Sequence, residues 1–115
     1  MTIAATPAAP YYAVIFTSLR HADTDAADDA YATMAALMLH SAARQQGYLG
    51  VESAREQVGI TVSYWSSLEA IARWKQDSEH LLAQQLGRQH WYDHYMVRIC
   101  RVERDYGFAR ADASA

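Results

Sequence analysis

Cysteine is almost missing from this chain: Cys100 is the only one. That excludes an internal disulfide and any cysteine-built metal cluster within one chain, and it fits a reducing, cytoplasmic setting. A cationic surplus is missing too. With a formal net charge of −3 and 20% charged residues, the chain lacks the basic field on which phosphate-backbone binding rests, so no nucleic acid partner is expected. The Met1–Pro10 stretch is small and apolar but holds no Lys or Arg and no h-region. Nowhere do about 18 apolar residues run together, so neither export nor membrane spanning is expected. A phosphate-cradling loop, a G-x-S-x-G elbow and a paired-cysteine motif are likewise absent, which leaves nucleotide-dependent and serine-hydrolase chemistry without support.

What is present suffices for one core. The 115 residues are 51% hydrophobic, the length and composition of a single ordinary domain. Residues 1–9 are rich in Ala and Thr, have little to bury and are expected to fray; the domain spans residues 10–108, and an Ala-rich flexible tail occupies 109–115. Tyr11 to Leu19 alternates two apolar faces, the pattern of a strand covered on both sides. Asp23 or Asp25 can cap a helix running to about Gln46, with Ala27, Tyr31, Met34, Ala35, Met38 and Ala42 as its buried stripe and Gly47 as its left-handed end. Tyr48 to Ala54 and Val58 to Trp65 read as a hairpin around Arg55-Glu56-Gln57.

Ser66-Ser67-Leu68-Glu69 has the S-x-x-E spacing of a capping box and predicts a helix from about Ser67 to Lys75. Asp77 can cap a second segment reaching about Tyr92, so this region is one kinked helix or two consecutive ones. Tyr95 to Arg104 alternates again and predicts a last strand. The order β-α-β-β-α-β matches the ferredoxin-like α+β fold, a four-stranded antiparallel sheet with both helices on one face. Large apolar groups on the other face then predict a homodimer formed sheet against sheet, with two-fold symmetry.

His80 is followed by Gln84, Gly87 and Trp91 at helical spacing, a row able to line a cavity. Trp65 and Trp74 add aromatic surface there, and Tyr64, Tyr92 and Tyr95 add hydroxyls for an oxygenated ring. The ligand that suits them is a small aromatic molecule, with His80 as a candidate catalytic base. His90 and His94 have H-x-x-x-H spacing but no acidic ligand to match, and they read as two unrelated histidines. Arg98, Arg101 and Arg104 read as ion-pairing groups along the last strand, with a carboxylate-bearing ligand on Arg98 as the minor alternative.

The run Gly47-Tyr48-Leu49-Gly50-Val51-Glu52, the strand Gly59 to Trp65, the helix carrying Trp74, then His80, Gly87-Arg88, Trp91-Tyr92 and the closing Tyr95–Tyr106 segment resemble the antibiotic biosynthesis monooxygenase (ABM) family, from roughly Tyr11 to Phe108. The resemblance implies a dimeric α+β barrel with a pocket between sheet and helices in each subunit. It also implies a monooxygenase that uses no cofactor and acts on a phenolic or otherwise electron-rich substrate. Its second implication is haem binding or degradation: Trp74 looks like the helix tryptophan of the haem-degrading branch. The haem-ligating position ten residues later is Gln84 here, so His80, four residues earlier, becomes the candidate iron ligand. A third expectation, a non-catalytic dimeric binding protein, stands because a fold does not fix a function.

Overall fold

The first strand, β1 (Tyr11–Arg20), runs through the middle of a four-stranded sheet, and the other elements are arranged around it. The computed structural model describes the backbone of residues 2–21, 28–84 and 91–111 and the side chains of 2–21, 33–81 and 91–111. After β1 come α1 (Asp28–Ala43), β2 (Tyr48–Arg55), β3 (Val58–Trp65), α2 (Leu68–Gln84) and β4 (Tyr92–Val102). The strand order is β2-β3-β1-β4 and all three pairings are antiparallel. This is the ferredoxin-like α+β fold that the sequence predicts. Among the described residues no helix is long and apolar enough to cross a membrane.

Strand alternation sorts the side chains into two faces. Val14 lies opposite Ser63 and Ile99, Phe16 opposite Thr61 and Val97, and Ser18 opposite Gly59 and Tyr95. This face carries the helices, α1 against β2 and α2 against β3. Val14, Ala42, Trp65, Ala70 and Ile71 form its buried cluster. Trp65 is fully enclosed; its ring lies 5.4 Å from that of Trp74 and meets Tyr48 edge-on at 5.6 Å, while its N–H donates to Ser63 Oγ at 2.9 Å. The stripe expected on α1 holds where it is described, with Met34 and Ala42 buried and Ala35 and Met38 half-buried. The proposed caps Asp23 and Asp25, Ala27 and the Tyr31 side chain lie outside the described residues.

Several boundaries differ from expectation, each for a local reason. Helix α1 stops at Ala43 because the amides of Arg44 and Gln45 turn back to the carbonyls of Ser41 and Ala42 at 3.3 and 3.0 Å, the tighter three-residue spacing. Gly47 has the left-handed φ of 92° but serves the turn into β2, where a Cβ would come within 2.7 Å of Ala70 Cβ and 2.8 Å of Ser66 Oγ. The cap of α2 is Ser67 rather than Ser66, its hydroxyl accepting the Ala70 amide at 3.1 Å. Asp77 starts no new segment: α2 runs through it, and its carboxylate accepts the Gln45 side-chain amide at 2.7 Å.

Strand β4 begins at Tyr92, earlier than the expected Tyr95, because a register shift opposite Leu19 and Arg20 breaks the alternation there. Before β1, two residues of the N-terminal segment touch the domain. The Ala4 amide donates to the Glu52 carboxylate at 2.9 Å, and the Thr6 hydroxyl sits 3.1 Å from the Tyr11 hydroxyl and 3.4 Å from Asp105. Arg101 and Glu103 approach to 3.5 Å on the exposed strand end, an ion pair of the kind read from the sequence and of small energetic weight in water.

Candidate functional site

A cavity of about 640 Å³ opens between the helices and the sheet, within the size range of small-molecule sites. Its origin is a mismatch of widths. The helices cover β2 and β3, whereas Val97 and Ile99 on the helix-side face of the edge strand β4 stay 45% and 50% exposed. Met34 and Met38 of α1 and Ile71, Trp74 and Ser78 of α2 form its walls, and β1 contributes Val14, Phe16 and Ser18.

At the β4 side the register shift does something alternation alone would not: it turns Tyr92 and Tyr95, three residues apart, toward the same neighbour. Phe16 packs against both, at 5.6 and 5.3 Å between ring centres, and the two tyrosines meet edge-on at 5.7 Å. This aromatic wall faces a lining whose only charges, among the described residues, are Arg55, Lys75 and Glu79. The Trp74 indole N–H is buried and has no hydrogen-bond partner among the described residues. A buried donor in that state costs on the order of 1–3 kcal/mol unless something accepts from it.

Of the site residues read from the sequence, the cavity brings together Trp74, Tyr92 and Tyr95. Trp65 stands behind Trp74 in the closed core rather than in the lining. Tyr64 belongs to the opposite face of the sheet, where its hydroxyl donates to Glu52 at 2.7 Å. Its pKa is pushed up to about 12, first by burial and then by the hydrogen bond and charge of Glu52. Trp91 is buried just before β4, with its carbonyl accepting the His21 amide at 2.9 Å, and it does not line the cavity.

His80 is exposed and outside the lining. The stripe of α2 that faces the cavity runs through Ile71, Trp74, Lys75 and Ser78; at about 100° per residue, His80 is rotated roughly 200° from Ser78. The row through His80, Gln84, Gly87 and Trp91 is therefore not the cavity-facing row. The Gln84 side chain, Gly87 and His90 lie outside the described residues. His94 is exposed on β4, opposite Leu19 on the face away from the helices.

A haem in this cavity would take its axial ligand from the lining, whose thioether and phenol candidates are Met34, Met38, Met96, Tyr48, Tyr92 and Tyr95. Among the described lining residues there is no histidine or cysteine, and among the described residues no group of three His, Cys, Asp or Glu side chains could hold a metal ion. His80, the iron ligand expected from the sequence, lies outside this lining, so a haem held by His80 does not fit the cavity.

Phe16, Ser18, Arg55, Lys75 and Glu79 line the cavity without having been expected there; Arg55 escaped notice because it fell in the apparent turn between two strands. The signal was Gly59: a glycine inside a strand marks a close approach, and the hairpin register pairs it with Arg55.

The topology and the cavity define an α+β protein with the ABM-like fold. No family model matches the sequence. Among solved structures, a mutant form of SnoaB, a cofactor-independent oxygenase from Streptomyces nogalater, superposes with a TM-score of 0.66 at 14% identity, over 84% of this chain and 97% of that one. A protein assigned as an antibiotic biosynthesis monooxygenase from Chloroflexus aurantiacus gives a TM-score of 0.55 at 15% identity, over 86% and 97%. Proteins of unknown function share the same fold. The uncharacterized protein YqjZ of Bacillus subtilis is 48% identical over 101 residues, covering 86% of this chain and 85% of that protein. The chain belongs to the YqjZ family.

Proposed function

We propose that the chain is an ABM-type monooxygenase that oxidises an electron-rich aromatic molecule in the cavity between sheet and helices, without flavin, haem or metal. The observation that carries this reading is the buried, unpartnered Trp74 N–H in the wall of an aromatic-lined cavity of ligand size. It is a donor suited to the oxygen of a hydroxylated ring. The SnoaB likeness supports cofactor-free chemistry as the form to test first.

In that reaction a phenol loses its proton, and its anion passes an electron to O₂. One oxygen atom then bonds to the ring carbon para to the hydroxyl, the second leaves as water, and a quinone results. Glu79 is the one carboxylate among the described lining residues, and it takes the role of proton acceptor in place of His80, which sits outside the cavity. Trp74, Tyr92, Tyr95 and Phe16 surround the ring with aromatic surface and reduce the water around the anion.

The same reading includes a homodimer. Leu19, Val58, Ile60 and Met96 stay 40–46% exposed, and by register they lie together on the sheet face without helices. An apolar patch of this kind supports a second copy packed across a two-fold axis.

Oxygen uptake with 1-naphthol tests the activity. The expected result is one O₂ consumed per 1,4-naphthoquinone formed, with Trp74→Phe, which keeps an aromatic ring and deletes the donor, lowering kcat/KM roughly tenfold. No uptake above the buffer rate with naphthols or anthrones would overturn the proposal.

A further inference from the structure

Arg55, Gly59 and Ser18 occupy one row across β2, β3 and β1, each paired with the next by strand register. The Arg55 side chain lies along this row. Its guanidinium donates to the Ser18 hydroxyl, and a Cβ on Gly59 would overlap the guanidinium itself. Gly59 has no left-handed backbone to call for glycine, so what it supplies is room for the arginine to lie flat on the sheet. Ser18, 2% exposed, is enclosed beneath it. All three residues line the cavity. The effect is a planar cation on a floor that is otherwise apolar or weakly polar, with Lys75 adding a second positive charge and Glu79 a single negative one among the described lining residues.

Resting on the proposed aromatic substrate, we infer that the ligand is an aromatic carboxylic acid bearing a second ring oxygen. Its carboxylate binds the Arg55 guanidinium, and the ring oxygen accepts from Trp74. A guanidinium fork matches a planar carboxylate with two parallel N–H donors, whereas a lysine would present a point charge. Arg55 anchors and orients the acid, which leaves the ring oxygen for the tryptophan.

Calorimetric titration of the full chain under argon, with 1-hydroxy-2-naphthoate and its methyl ester as probes, tests the inference. The wild type is expected to bind the acid at least tenfold tighter than the ester. Arg55→Met removes that preference while the ester keeps its affinity within about twofold. Gly59→Ala displaces the guanidinium without deleting its charge and is expected to act in the same way; circular dichroism and thermal melts establish that each variant folds, and Arg55→Lys replaces any that does not, with the preference at least halved. Equal binding of acid and ester by the wild type overturns the carboxylate anchor and leaves the aromatic cavity standing. Binding of neither sinks both. Preference that survives Arg55→Met and Gly59→Ala removes Arg55 from the role.

Discussion

The two faces of the sheet treat their polar atoms differently. On the face without helices, Tyr11 and Tyr64 meet edge-on at 6.0 Å, and each gives its hydroxyl to a carboxylate, Tyr11 to Asp105 at 2.5 Å and Tyr64 to Glu52 at 2.7 Å. The same carboxylates receive the Ala4 amide and the Thr6 hydroxyl, so the network holds the segment before β1 in place. On the helix-covered face the Trp65 N–H is satisfied by Ser63, while the Trp74 N–H is buried with no partner among the described residues. Buried polar groups in folded proteins are almost always paired. A closed network therefore reads as scaffold, and the unpaired donor beside the cavity is the group to which the proposed function assigns an acceptor.

The largest effect expected from breaking this contrast lies behind the cavity. Trp65 is fully enclosed between Tyr48, Trp74 and the buried cluster, and no neighbour can fill the volume of its ring. Trp65→Ala is expected to cost about 3–5 kcal/mol in urea unfolding. A loss below about 1 kcal/mol would mean that the helical layer does not rest on this residue, and the difference between the faces would lose its basis.

How far the sequence foretells these features depends on how local they are. Val58 to Trp65 is legible because alternation is unbroken there. The fold follows from element order, and Trp74 is legible as a cavity-lining residue from its place in the resemblance. The start of β4 is not, since a bulge paired with β1 interrupts the period and nothing within the segment announces it. His80 looks like part of a site row because helical spacing fixes which residues share a stripe but not which stripe meets the sheet. Arg55 is the clearest case. Its meaning comes from Gly59 and Ser18, and Ser18 sits beside them only through a pairing between strands about 40 residues apart in the chain.

An intermediate effect is expected on the apolar patch of the open face. Ile60, half-exposed opposite Thr17, becomes buried in the proposed homodimer, so Ile60→Glu would place an unpaired charge at its centre while costing the subunit little, within about 0.5 kcal/mol. Sedimentation is expected to show a dimer for the wild type and at least a tenfold weaker association for the variant. A wild type that sediments as a single subunit at high concentration defeats the dimer, and the two faces would then differ only in their helices.

The smallest effect, and the sharpest about the polar network, concerns Tyr64→Phe. Burial first, and then the hydrogen bond and charge of Glu52, push the Tyr64 pKa up to about 12 from an ordinary value of 10.0. Below pH 10 the hydroxyl keeps its proton in both folded and unfolded chains, so this group contributes no pH dependence. Between about 10 and 12 the unfolded chain releases a proton that the folded chain retains, and stability falls as pH rises. Phenylalanine removes the titrating group. At pH 7 the variant is expected to be less stable by about 1 kcal/mol, the net worth of the lost hydrogen bond, and this deficit should shrink as pH climbs from 10 toward 12. Tyr11, whose pKa is raised chiefly by its hydrogen bond to Asp105, leaves a residual slope of the same sign in the variant. Urea midpoints at pH 8, 10 and 11 measure the difference between the two proteins. A difference that stays constant across that range would show that Glu52 does not hold the Tyr64 hydroxyl, and the open face would then carry an unspent donor as well.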